Sequence, residues 1–185
     1  MADHSLRRLS ALHGSSLPTR VGVVSVTETE PMARFVYRGP PDAISDAFGV
    51  ALPTTPLRAE RANDRAALWL GPDEWLLLSP VEDGRELFTA ISIALGSVPA
   101  SVVDVSHRQI GLDITGSNAA DLLAGGCPLD LDLSAFPVGM CTRTLLAKAE
   151  AMLWRCAPDD FHLEVQRSFA PYVAAVLNEA ARDLD

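Results

Sequence analysis

Residues 68–79 read LWLGPDEWLLLS, two apolar runs joined by Gly71, Pro72 and Asp73. Proline presets a turn dihedral and Gly and Asp tolerate the irregular backbone beside it, so the stretch predicts a hairpin with strands over 66–70 and 74–79. The same punctuation returns as APDDFHLEV at 157–165, where Phe161, Leu163 and Val165 alternate as in a strand. Each stretch runs into a helical pattern. After the first comes DGRELFTAISIALG (83–96), with Leu87, Phe88, Ile91 and Leu95 on one face and Asp83 with Glu86 placed as a capping box. After the second comes SFAPYVAAVLNEAA (168–181), with a stripe of Phe169, Val173, Val176, Leu177 and Ala180.

Upstream of each hairpin the pattern also matches. Strands are expected at 21–27 and 32–37 around TETEP, and then a short helix through Ile44, Ala47 and Phe48 that stops at Gly49. In the second half, strands are expected at 101–107 and 109–115, with Ile110, Leu112 and Ile114 facing inward. A short helix over GSNAADLLAGG (116–126) then carries Ser117 as its N-cap, and strands follow at 142–149 and 151–156. RGPPDAISDAFGVALP (38–53) answers to TGSNAADLLAGGCPLD (115–130). The expected fold class is therefore α+β: two pseudo-repeated ββαββα units, 21–98 and 99–185, packed as one body behind a flexible N-terminal tail at 1–20.

Composition narrows the function classes. The 185 residues carry a net charge of −9, which argues against nucleic-acid phosphates and anionic membrane surfaces as partners. No run of apolar residues is long enough to span a bilayer. MADHSLRRLSALHGSS at the N-terminus lacks the apolar core of a signal peptide. Cys127, Cys141 and Cys156 form no CxxC pair, so reduced thiols and a cytoplasmic location are expected.

The candidate sites read as structure more readily than as chemistry. The segment LAGGCPLDLDLSAFPVGMC (123–141) holds two thiols and two carboxylates, yet zinc would need two further ligands at suitable spacing. Leu129, Leu131 and Leu133 alternate with Asp130 and Asp132, as in an extended edge segment with its carboxylates in water. In VVDVSHRQ (102–109) Asp104 and Ser106 share one face of a strand and His107 the other, which spoils a nucleophile–base pair. No nucleotide-binding glycine loop is present. Trp69, Trp75 and Trp154 sit among leucines and read as packing residues. No catalytic, metal or cofactor-binding residue is assigned.

Five blocks in order resemble the gamma subunit family of heterotetrameric sarcosine oxidase: LWLGPDEWLLL (68–78), VVDVSHRQ, GGCPLDLDLSAFPVGMC (125–141), TLLAKAEAMLWR (144–155) and RSFAPYV (167–173). The DVSH block is shared with folate-dependent aminomethyltransferases, which implies a reduced aminomethyltransferase-type fold. The resemblance implies a non-catalytic subunit of an oxidoreductase complex that converts sarcosine to glycine and passes on a one-carbon unit. FAD, FMN, NAD, tetrahydrofolate and zinc are then expected on the alpha, beta and delta subunits, with alpha the most direct contact. By that resemblance Lys148, Ala149 and Glu150 stand where the aminomethyltransferase hairpin has flexible glycines, and Leu153 and Trp154 stand near its expected acidic pair. Trp75, Phe136, Phe169 and Tyr172 are the aromatic candidates for the partner interface. A rival reading is a stand-alone folate-binding or aminomethyl-transferring protein with His107, Arg108, Arg143 and Glu150 as ligands. Another is the equivalent subunit of an N-methylglutamate dehydrogenase.

Overall fold

The computed structural model describes residues 10–20 and 22–184. Residues 1–9 of the expected tail, Val21 at the start of the first expected strand, and Asp185 lie outside the described residues. The strands are β1 Thr19–Arg20, β2 Val24–Glu28, β3 Met32–Arg38, β4 Ala59–Ala62, β5 Arg65–Gly71, β6 Glu74–Pro80, β7 Ser101–Asp104, β8 Gln109–Thr115, β9 Cys141–Leu146, β10 Ala149–Ala157 and β11 Asp160–Gln166. The helices are α1 Ser45–Phe48, α2 Gly84–Leu95, α3 Ala119–Ala124 and α4 Ala170–Ala180.

Two antiparallel sheets result, ordered β4-β5-β6-β3-β7 and β1-β2-β8-β11-β10-β9. One face of the first sheet packs Phe35, Tyr37, Trp75 and Leu77 against Phe48, Leu87 and Ile91 of α1 and α2. One face of the second packs Leu112, Phe161, Leu163 and Val165 against Leu122, Val173 and Leu177 of α3 and α4. The inner faces meet through Leu68, Leu76 and Leu78 on one side and Cys141, Met152 and Trp154 on the other. With helices outside and a second sheet inside, the central strands are covered on both faces. This is why LLL in β6 and AMLW in β10 are continuous apolar runs and not alternations.

The two sheets share one strand order once each first-half strand is set beside its second-half counterpart. β4, β5, β6 and β3 take the places of β9, β10, β11 and β8, while β7 takes the place of β2. The first strand of each half is thus exchanged: β2 pairs with β8, and β7 pairs with β3. Both central hairpins carry an irregularity at the matching place, between Trp69 and Gly71 in β5 and between Arg155 and Ala157 in β10. Both tips are tied to a glycine, through Gly39 N–H to Asp73 O at 3.0 Å and Gly116 N–H to Asp159 O at 3.1 Å. These glycines have φ of 154° and 118°, and a Cβ on Gly116 would sit 2.4 Å from Val23 O. Only glycine fits there.

Several local expectations are corrected. The strand expected over 101–107 ends at Asp104, because its Oδ1 accepts from Ser106 N–H (2.8 Å) and Ser106 Oγ (2.6 Å) and turns the chain. Asp83 and Glu86 form no capping box: Arg65 takes the Asp83 carboxylate at 2.8 Å. Ser117 is not the N-cap of α3; Asn118 stands at that position, and the Ser117 hydroxyl donates to its side chain. The second-half strands part at Ala147, which has φ 52°, and not at Glu150. β4 was not read from the sequence. The described part of the expected flexible tail is docked, with Leu12 in the second sheet's core and Asn178 Nδ2 donating to Ser16 O. Phe88 and Phe169, expected on apolar stripes, are exposed.

Candidate functional site

The segment between Cys127 and Cys141 folds through side-chain turns and contains no strand until β9 begins at Cys141. Asp132 N–H donates to Asp130 Oδ1 and Ser134 N–H to Asp132 Oδ1, bending the chain where an extended edge was expected. Leu131 is buried and Leu133 exposed, so the alternation does not hold an edge against the body. Arg155 pins this loop from β10, donating to Phe136 O at 2.6 Å and Leu131 O at 2.9 Å while its guanidinium lies 4.5 Å over the Phe161 ring. All three cysteines are free thiols. Burial pushes the Cys141 and Cys156 thiols up to about 12, so neither is a ready thiolate. Among the described residues no group of three or more His, Cys, Asp or Glu is arranged to hold a metal.

Asp104 and Ser106 do meet, but as a turn clamp. Ser106 Oγ donates to Asp104 and accepts Arg34 N–H at 2.9 Å, which locks the β7–β8 link onto β3. His107 lies apart, exposed, in a shallow groove beside α2.

The strongest electrostatic feature was not read from the sequence. Arg34 on β3 reaches across the sheets to Glu164 on β11, Nε to Oε2 at 2.7 Å, with both side chains buried. Glu164 also holds His162 Nε2 at 2.9 Å, and Asp113 holds Nδ1 at 2.9 Å. Burial alone would lower the His162 pKa, but the hydrogen bonds and charges of Asp113 and Glu164 carry it to about 9. Burial alone would raise Glu164, and His162 and Arg34 reverse this and hold it below its usual value. The signal available in sequence was His162 and Glu164 at i, i+2 on one face of FHLEV.

Two clefts flank the inner apolar cluster. The first, about 490 Å³, includes His162, Asp113, Trp154, Arg61, Asp64 and Asp160 in its wall. The second, about 420 Å³, gathers Arg108, Arg143 and Glu150 over a floor of Val36, Leu76 and Met152. Three of the four residues read as folate ligands therefore share one cleft, and His107 is excluded from it. Arg143 is already engaged by Glu74 at 2.6 Å. Leu153 and Trp154, near the places where the resemblance implies acids in aminomethyltransferases, are core residues.

The aromatic interface candidates divide. Trp75 is 0% exposed, with its indole N–H donating to Pro53 O, and Phe136 is 1% exposed against Phe161. Both are core residues and offer a partner no surface. Phe169 and Tyr172 are exposed at 41% and 38%.

A family model described as sarcosine oxidase, gamma subunit family, matches residues 40–183. The chain is 32% identical over 181 residues to sarcosine oxidase subunit gamma of Corynebacterium sp. (strain P-1), covering 97% of this chain and 84% of that one. Its structure is similar to a chain of the heterotetrameric sarcosine oxidase from Corynebacterium sp. U-96 in complex with pyrrole 2-carboxylate. The TM-score is 0.86 at 28% identity, over 95% of each chain. It also overlays on glycine cleavage system aminomethyltransferase T from Bartonella henselae with TM-score 0.67 at 14% identity, over 93% of this chain and 48% of that one, a likeness of fold alone.

Proposed function

Because the chain belongs to the sarcosine oxidase gamma subunit family, we propose that it serves as a non-catalytic gamma subunit in a heterotetrameric, flavin-dependent enzyme that oxidises sarcosine to glycine. In this reading it packs on the large alpha subunit, in a cytoplasmic assembly that also holds the beta and delta subunits. Flavins, NAD, the folate that accepts the one-carbon unit, and zinc are held by the other chains. The observation that carries the reading is the near full-length match, in sequence and fold, to a chain of a heterotetrameric relative.

Two carboxylates that the fold sets beside other functional groups are engaged within the chain. A general base needs a carboxylate free to reach its proton. The buried carboxylate Glu164 is saturated by Arg34 and His162, and Asp104 is occupied by Ser106. The test is a tagged pull-down from cells of the source organism grown on sarcosine. A yellow complex with three further chains is the expected result, and a colourless chain eluting alone would overturn it.

One observation favours a second reading, namely Arg108, Arg143 and Glu150 in one cleft. A stand-alone folate-binding protein would bind reduced folate in the micromolar range, about −8 kcal/mol, in calorimetry of the isolated chain. Flat calorimetry is expected and would remove that reading.

A further inference from the structure

Matching the sheets strand by strand also matches the two clefts. Arg61 faces Ala66 across β4–β5 as Arg143 faces Met152 across β9–β10. Trp75 closes the first hairpin opposite Trp69 as Phe161 closes the second opposite Arg155, which sets His162 beside Leu76 and Asp160 beside Glu74 as equivalents. The clefts are therefore twin positions filled with different chemistry. Where the first has Asp113 and His162, the second has Val36 and Leu76. At its rim the second cleft has Leu145, 45% exposed, at the place of Asn63. Beyond it Val103, paired with Val36 and 50% exposed, takes the place of Thr27, paired with Asp113.

The adjoining sheet edges differ in the same sense. β2 is covered: β1 pairs with it, and Val26 N–H donates outward to Pro18 O at 2.9 Å. Its counterpart β7, among the described residues, pairs with β3 alone and ends its sheet. Val105 N–H donates inward to Arg34 O, so by antiparallel alternation Val103 also faces β3, while the N–H and C=O of Val102 and Asp104 point off the sheet. Val102 stands where Val26 stands in the other half. Beside this open edge, the side chains of Arg108 and Glu150 have no ion-pair partner among the described residues.

We propose that the open edge of β7 and the adjoining cleft form a docking surface for an extended segment of a protein partner. That segment adds as a strand against Val102 and Asp104 and sets an apolar side chain against Val103 and Leu145. The molecule itself indicates the occupant: the twin edge is already covered by an extended segment that bonds at the twin residue. The two unpaired charges match a partner carboxylate at Arg108 and a cation at Glu150. In the first cleft the corresponding groups, Asp113 and His162, are already paired with each other inside the chain. This surface rests on the subunit reading above.

The test is residue-resolved amide exchange on the free full-length chain and on the same chain co-purified with its partner subunits. In the complex, exchange at Val102 and Asp104 slows at least about tenfold, while Val103 and Val105, already bonded to β3, change little. In parallel, Leu145→Glu and Arg108→Glu, both at exposed sites, reduce co-purified partner at least about tenfold while the free chain's unfolding midpoint stays unchanged. A wild-type complex whose Val102 and Asp104 amides stay open overturns this surface alone. So does protection of those amides in the free chain at raised concentration, which would make a second copy the occupant. A wild-type chain that co-purifies with nothing overturns the subunit reading and this surface with it.

Discussion

Glu164 shows how much one buried carboxylate organises. It takes Arg34 from the facing sheet and His162 from its own strand, so removing it leaves the buried guanidinium without a carboxylate and His162 with Asp113 alone. Breaking a buried pair costs about 3–5 kcal/mol, and Glu164→Gln is expected to lower the unfolding free energy by that amount in urea titration. His162 adds a pH signature. Its pKa is raised from about 6.5 unfolded to about 9 folded by Asp113 and Glu164, against the opposing effect of burial. The stabilisation is therefore fully present below about pH 6.5 and lost as pH rises through 9, roughly 3 kcal/mol in all. Urea midpoints at pH 6, 7.5 and 9 should fall in that order for the wild type and flatten in His162→Gln. A pH-independent wild type would show that the imidazole is neutral in the folded chain. The sequence reading placed neither residue in a network, because a polar residue alternating in a strand reads as solvent-facing. Here a second sheet covers that face.

At the scale of the element, hairpins were legible and loops were not. Gly-Pro-Asp between apolar runs carries its own turn geometry, so β5 and β6 fall within a residue of expectation. The 127–141 connection has no such local code. Its shape depends on Arg155, distant in sequence, donating to Leu131 O and Phe136 O. Arg155→Met keeps the buried stem but loses both bonds and the stacking on Phe161, and is expected to cost about 2–4 kcal/mol. Limited proteolysis should then cut within 128–140 well before the rest of the chain. Unchanged cleavage would mean that Pro128, Pro137 and the apolar anchors hold the loop unaided. The helix caps failed for a related reason: Arg65 claims Asp83 from another element, and such competition is invisible to a local motif.

For the whole molecule, the decisive fact is the exchange of β2 and β7 between sheets. Neither half of the sequence completes a sheet alone, and the inner layer of Leu68, Leu76, Leu78, Met152 and Trp154 exists only when both are present. The chain is therefore expected to unfold in one cooperative transition, with calorimetric and van't Hoff enthalpies in agreement. Two resolved transitions would show that the sheets are independent units. The exchange also leaves β7 as an outer edge beside a cleft, an arrangement suited to a chain that works inside a larger assembly.

The sequence by itself determined the class of fold, most strands and helices, the absence of a nucleotide loop, and the family, since all of these rest on local periodicity or on contiguous blocks of residues. Only the tertiary structure decided which sheet each strand joins, which aromatics are core and which face outward, and where ionic groups meet. Those depend on what lies across the interior from a residue. Trp75 and Phe169 read alike as aromatics in matching blocks, yet one is enclosed by α1 and α2 packing on its sheet and the other stands at a helix start facing outward. Periodicity states which face a side chain takes; only the packed layers state what covers that face.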